Sequence, residues 1–191
     1  MSGAAFHVHG PHDHELEHAA HDKRDPFSAR IAVMTAIFAT VGALFGYMAG
    51  ATQNEALLHK NDAAIRKTEA SDQWNFYQAK SSKQNLSEFA GVLTTGDQQA
   101  RYRQEVERYK LEKEEIKKQA EKHEAESQRA QVASDAAMHV HHRWAQAMTL
   151  IQISIALSAI TLLTRSPWLN IVSYAAAAGA MALGGLAAFH M

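Results

Sequence analysis

The side chains with the greatest chemical capacity lie near the start of the chain. Segment 7–22 holds six His and four acidic residues. If the part after Pro11 is helical, His14, His18 and His21 share one face at i, i+4 and i+7. Neutral imidazoles at that spacing bind zinc, copper or nickel. The tract also reads as a solvated tail that changes charge near neutral pH. It has no hydrophobic surroundings to hold ligand geometry, and metal sites lean on such support. No cofactor is firmly implied, and a divalent transition metal at this tail is the candidate. A second group, His139, His141 and His142 beside Arg143, reads as a cationic belt at a membrane interface.

Elsewhere the chemistry is sparse. The chain has no Cys, which removes thiolate nucleophiles, disulfides and Cys-ligated metals. No phosphate-cradling Gly loop, zinc-protease motif or nucleophile elbow occurs, so no catalytic residue is assigned and the protein is not expected to be an enzyme. Trp74, Phe76 and Tyr77 form an aromatic cluster suited to core or subunit packing rather than ligand stacking. The net charge of -1 hides a balanced middle, with 15 basic and 15 acidic residues between 52 and 143. There is no basic stripe for nucleic acid.

The elements that must position these residues follow from a segregation of charge. Asp, Glu, Lys and Arg are all absent from 31–51, 144–164 and 168–191. About 20 residues at roughly 1.5 Å each cross a hydrocarbon core, so three spans are expected, at 30–51, 144–164 and 168–190. The run 31–51 is too long, and starts too late, for a cleaved signal peptide. Trp144 and Arg143 at one end of the second span and Arg165 at the other are interfacial anchors. Only residues 164–167 separate the last two spans, which forces them antiparallel.

Within the spans, Gly42, Gly46 and Gly50 recur every four residues, and Gly179, Gly184 and Gly185 smooth the third. Small residues at this spacing let helix backbones approach closely. No charge lies at membrane depth, although carriers and proton relays normally use one. Gln152 is the one long polar side chain well inside a span, suited to an interhelical hydrogen bond. In an oligomer, Gln152, Ser154, Ser158 and Asn170 are the alternative, pore-lining set.

Residues 52–143 contain no Pro and two Gly, Gly91 and Gly96, which mark a tip at 91–97 between two helical arms. The arms are about 40 and 46 residues long, or roughly 60 to 70 Å if straight. The returning arm keeps a heptad seam through Tyr102, Val106, Tyr109, Lys113, Ile116, Ala120, His123, Ser127, Ala130 and Ser134. For the outgoing arm, Leu58, Ile65, Ala79, Leu86, Phe89 and Leu93 offer the answering register, with Asn61, Thr68, Asp72, Asn75 and Ser82 between them. Trp74, Tyr77, Tyr102, Val106, Tyr109 and Ile116 are the expected hairpin interface. The fold class is therefore all-α: a three-span integral membrane protein with a long antiparallel coiled-coil hairpin inserted between the first and second transmembrane helices.

The residues at 54–58, 61–63 and above all Ala70-Ser71-Asp72-Gln73-Trp74-Asn75-Phe76-Tyr77-Gln78-Ala79-Lys80-Ser81-Ser82-Lys83 resemble an uncharacterised bacterial membrane-protein family, domain of unknown function family 4337. The likeness extends to the layout of a His- and acid-rich tail (1–29), one span, a helical insertion and a terminal pair of spans. It implies this architecture and a bacterial source, and brings no site residues. The function expected is assembly: a scaffold that self-associates through glycine-lined helices and a projecting hairpin. The alternatives are an oligomeric pore and metal sensing or buffering by the tail. The expected partners are the lipid bilayer, further copies of the chain, and a protein bound to the hairpin. Lys23, Arg24, Arg30 and Arg165 favour a cytoplasmic N-terminus and a hairpin outside an inner (cytoplasmic) membrane; the rival basic flanks Lys60, Arg66, Lys67 and Arg143 belong to a long insertion, which counts little in setting orientation.

Overall fold

A computed structural model describes residues 26–189. It contains three helices: α1, Pro26–Leu93; α2, Asp97–Thr164; and α3, Pro167–Ala188. The first two are 68 residues each, and α3 is 22. Each is long and apolar enough to cross a membrane. With no Pro between 27 and 166, nothing in the sequence interrupts α1 or α2, and each expected span continues into its hairpin arm as one helix.

Both turns are short. Between α1 and α2, Gly96 takes φ +63, a left-handed conformation that glycine adopts without a Cβ clash. The Ala100 amide donates to the Gly96 carbonyl at 3.1 Å, and Asp97 puts a carboxylate at the positive end of α2. Between α2 and α3, Arg165 takes φ 51 and its amide closes on the Thr161 carbonyl at 2.9 Å. Pro167 then starts α3, where a missing N–H is harmless.

The described chain forms two compact units, one made of residues up to 47 and from 143 onward, the other of 48–142. In the first, α3 buries Ser173, Ala177, Ala180, Gly184 and Ala187, a seam of small residues in steps of four and three. Ser173 and Ser158 are hydrogen bonded at 2.8 Å, and the Ser173 hydroxyl lies 2.8 Å from the Ser154 carbonyl. Ser154, Ser158, Thr161 and Ser173 are wholly buried. From α1, Phe45 packs on Trp144 with ring centroids 5.5 Å apart, and Phe38 meets Tyr174 edge-on at 6.2 Å.

In the second unit α1 and α2 run antiparallel, since partner numbers rise along one helix as they fall along the other. Ala49 faces His141, Ala56 faces Ser134, and Ala63 faces Ser127. The returning arm follows the expected register, with Ile116, Ala120, Ser127, Ala130 and Ser134 buried. The outgoing arm does not. Its buried column is Ala49, Ala56, Ala63 and Ala70, whereas Leu58, Ile65, Leu86, Phe89 and Leu93 are 57 to 69% exposed. The physical reason is close approach, because serine hydroxyls reach the α1 backbone only where α1 presents a methyl.

The glycines divide in the same way. A Cβ at Gly184 would lie 2.8 Å from two atoms of the Phe45 ring, and one at Gly42 would lie 3.0 Å from Ile151. A Cβ at Gly185 would meet nothing within 4 Å. Gly184→Ala is therefore expected to destabilise the chain by about 1 to 3 kcal/mol, the usual range for overpacking, and Gly185→Ala to leave it unchanged. Thermal unfolding of the solubilised protein checks the pair, and equal melting temperatures would refute this packing.

Candidate functional site

The most organised polar arrangement among the described residues is the seam of the 48–142 unit. Ser127 Oγ donates to the Ala63 carbonyl and Ser134 Oγ to the Ala56 carbonyl, each at 2.8 Å. One heptad further on, His141 Nδ1 lies 2.8 Å from the Ala49 carbonyl. A carbonyl only accepts, so Nδ1 is the donor in this contact. The rings of His141 and His142 lie 5.5 Å apart. Each of these contacts brings a donor from α2 to a backbone carbonyl of α1, and the Ala49 carbonyl accepts from the Thr52 hydroxyl as well.

Farther along, charge replaces hydroxyls. Arg66 Nη1 donates to Glu69 Oε2 at 3.0 Å, with Glu126 at 3.7 Å and Asp62 at 3.6 Å, and this hydrogen bond and these charges raise its pKa. His123 Nδ1 is 3.1 Å from Glu69 Oε2 but lacks the angle of a hydrogen bond. Lys80 donates to Glu112 and also stands over the rings of Phe76 and Tyr109 at 5.2 and 5.6 Å. Trp74 and Tyr77 meet edge-on at 5.6 Å, and Lys113 covers Tyr77 at 5.2 Å. Near the tip, Ser87 donates to Glu105 at 3.0 Å beside a groove of about 740 Å³ that includes Tyr102, Arg103 and Val106. Of the expected interface, Ile116 is buried and Trp74, Tyr77, Tyr102, Val106 and Tyr109 are half-buried.

The polar residues of the other unit separate into inner and outer sets. Ser154 and Ser158 are wholly buried and hydrogen bonded inside the chain, which removes them from the pore-lining set. Their partner Ser173 carries the signal that sequence reasoning missed: a serine in step with Ala177, Ala180 and Gly184. Asn170 is half-buried, and its Oδ1 has no partner. Gln152 is exposed and makes no side-chain hydrogen bond among the described residues. A Cβ added at Gly42 would lie 3.0 Å from Ile151, one at Gly46 3.4 Å from Met148 and one at Gly179 3.6 Å from Leu150, whereas one at Gly50 would meet nothing within 4 Å. His14, His18 and His21 lie outside the described residues, and within those residues no three His, Cys, Asp or Glu are grouped to hold a metal ion.

The hydrogen bond from Lys80, followed by its charge and that of Arg108, holds the Glu112 carboxyl below the ordinary carboxylate range. A carboxylate with a lowered folded pKa stabilises the fold above its unfolded value and loses that contribution as pH falls through the folded one. Acidification through and below the ordinary carboxylate range is therefore expected to weaken the hairpin, and Glu112→Gln to flatten that part of the response. Thermal melts of the full chain across acid pH check this. Parallel slopes for the two proteins would show that the pair contributes nothing.

No curated protein and no solved structure matches this chain. A family model does match, over residues 27–190, which takes in all three helices. The chain therefore belongs to the family described as domain of unknown function DUF4337.

Proposed function

We propose that this protein is a membrane-anchored assembly element, a scaffold of a bacterial inner membrane built from several copies of itself. All three helices cross the bilayer in this reading, and the 48–142 hairpin is a coiled coil outside it. The observation that carries the proposal is Gln152. It sits in a charge-free stretch from 144 to 164, exposed, with no side-chain hydrogen bond among the described residues. Thr149, Ala156 and Ala159 flank it on the same face and are also exposed. An amide facing lipid has no water to satisfy it, whereas a helix of another copy supplies both donor and acceptor. The small neighbours let that helix come close, and Gly185 offers a second open surface of the same kind.

Contrast within the unit strengthens the assignment. The buried hydroxyls are satisfied internally, Ser154 within its own helix and Ser158 and Ser173 across α2 and α3, so polar groups connect helices in this unit. Gln152 has the same chemistry turned outward. Lys23, Arg24, Arg30 and Arg165 support a cytoplasmic N-terminus, and Cys labelling at Ser2 against Gly96 tests that sidedness.

Crosslinking in native membranes and mass photometry after extraction are expected to show a defined oligomer. Gln152→Leu should weaken it by about 1 kcal/mol per interhelical amide contact. A strictly monomeric particle in both measurements would sink the proposal.

A further inference from the structure

Helix α1 carries two seven-residue registers along the hairpin, and only one is used inside the chain. The inner one is the alanine column that receives Ser127 and Ser134. The outer one runs through Leu58, Ile65, Asp72, Ala79, Leu86 and Leu93. A second outer column, four residues ahead of the next member of the first, holds Asn61, Thr68, Asn75, Ser82 and Phe89, and a third runs from Leu57 through Ala64, Ser71, Gln78 and Asn85 to Val92. Every residue of these three columns between 57 and 93 is exposed, and Asp72 is the sole charge among them. Leu58 is 62% exposed, Leu86 68% and Val92 80%.

A helix face turned to water normally carries charge. The outward side of α2 does so, with exposed Arg101, Glu107, Lys110, Glu114 and Lys118 over the same part of the hairpin. The three columns of α1 carry a single charge, Asp72, over about 36 positions, roughly 54 Å of helix, with large apolar residues at the two ends (Leu57, Leu58, Ile65 and Leu86, Phe89, Val92, Leu93) and small or uncharged polar residues between them. Their period and length fit another long helix with the same repeat.

We propose that this outer face of α1 pairs with the same face of a second copy, the two helices parallel and in register. Three features select that occupant. Leu58 and Ile65 at one end and Leu86 and Leu93 at the other lie in one seven-residue register, so each meets its own counterpart in a second α1. Asn61 and Asn75 fall in one column, so in a parallel pair each meets its own counterpart, the arrangement in which a seam Asn fixes register and strand number. The near absence of charge makes the face compatible with itself and gives a charged partner nothing to attract it. Asp72 opposes its own copy in this pairing and lowers its stability. The inference rests on the membrane-anchored reading above, because shared sidedness in one bilayer makes the two α1 helices parallel.

The absence of Cys allows a clean test in the full-length protein in native membranes. Leu86→Cys is expected to form a same-position disulfide, as is Ile65→Cys, whereas Lys118→Cys on the charged side of α2 is not. Leu86→Lys, placed at an exposed position so that the hairpin still folds, should abolish the Leu58→Cys crosslink while leaving helical content unchanged by circular dichroism. Equal crosslinking at 86 and 118, or none at either, overturns the inference. So does a mixed 65-to-86 disulfide between differently tagged copies, which marks an antiparallel pair, or capture of a different protein at 86. If the oligomer persists by mass photometry while 86 fails to crosslink, the assembly reading stands and this interface falls. A monomer removes both.

Discussion

The structure depends on how closely two long helices can approach. At Ala49, Ala56, Ala63 and Ala70, α1 presents a methyl group to its partner every seven residues. Across from three of them stand His141, Ser134 and Ser127, short enough or correctly angled to reach the α1 carbonyls. A leucine column would hold the backbones too far apart for those hydrogen bonds. The alanine column thus sets the separation, the polar residues of α2 set the register, and the two requirements are met by the same pairs.

The same solution recurs in the apolar unit. There α3 contributes both the small residues and the Ser173 hydroxyl, which donates to the Ser154 carbonyl of α2, and the Phe45 ring occupies the space over Gly184. Lipid chains are as apolar as leucine, so helices in that setting gain little from burying large aliphatic groups and more from close packing with hydrogen bonds. The larger side chains are then free to face outward. In the hairpin the outward aliphatic residues of α1 have no lipid explanation if that segment stands in water, which makes their exposure the feature that most demands a partner.

Much of this was legible in the sequence. Charge segregation located three apolar stretches, the Gly91 and Gly96 pair located the tip, and the returning heptad named Ile116, Ala120, Ser127, Ala130 and Ser134, all of which are buried. The outgoing register was misassigned because hydrophobic periodicity weights bulk. Leu58, Ile65 and Leu86 repeat every seven residues as a seam should, and alanine at 56, 63 and 70 gives a weaker signal of equal period. The correct choice required knowing that Ser127 and Ser134 would donate to backbone. The exposure of Gln152 depends on which face of α2 meets α3, and the α3 residue at that contact is Ser173, which has no distinction in isolation.

The inner and outer faces of α1 can be separated by one scan. Nitroxide labels placed singly from 56 to 72 in the full protein, reconstituted in lipid, report both mobility and proximity to a like label. Immobilised spectra at 56, 63 and 70, with dipolar broadening between copies at 58 and 65, are expected. Freely mobile, unbroadened labels at 58 and 65 would contradict the assignment of α1 as a helix with one face for its own chain and the other for its neighbour.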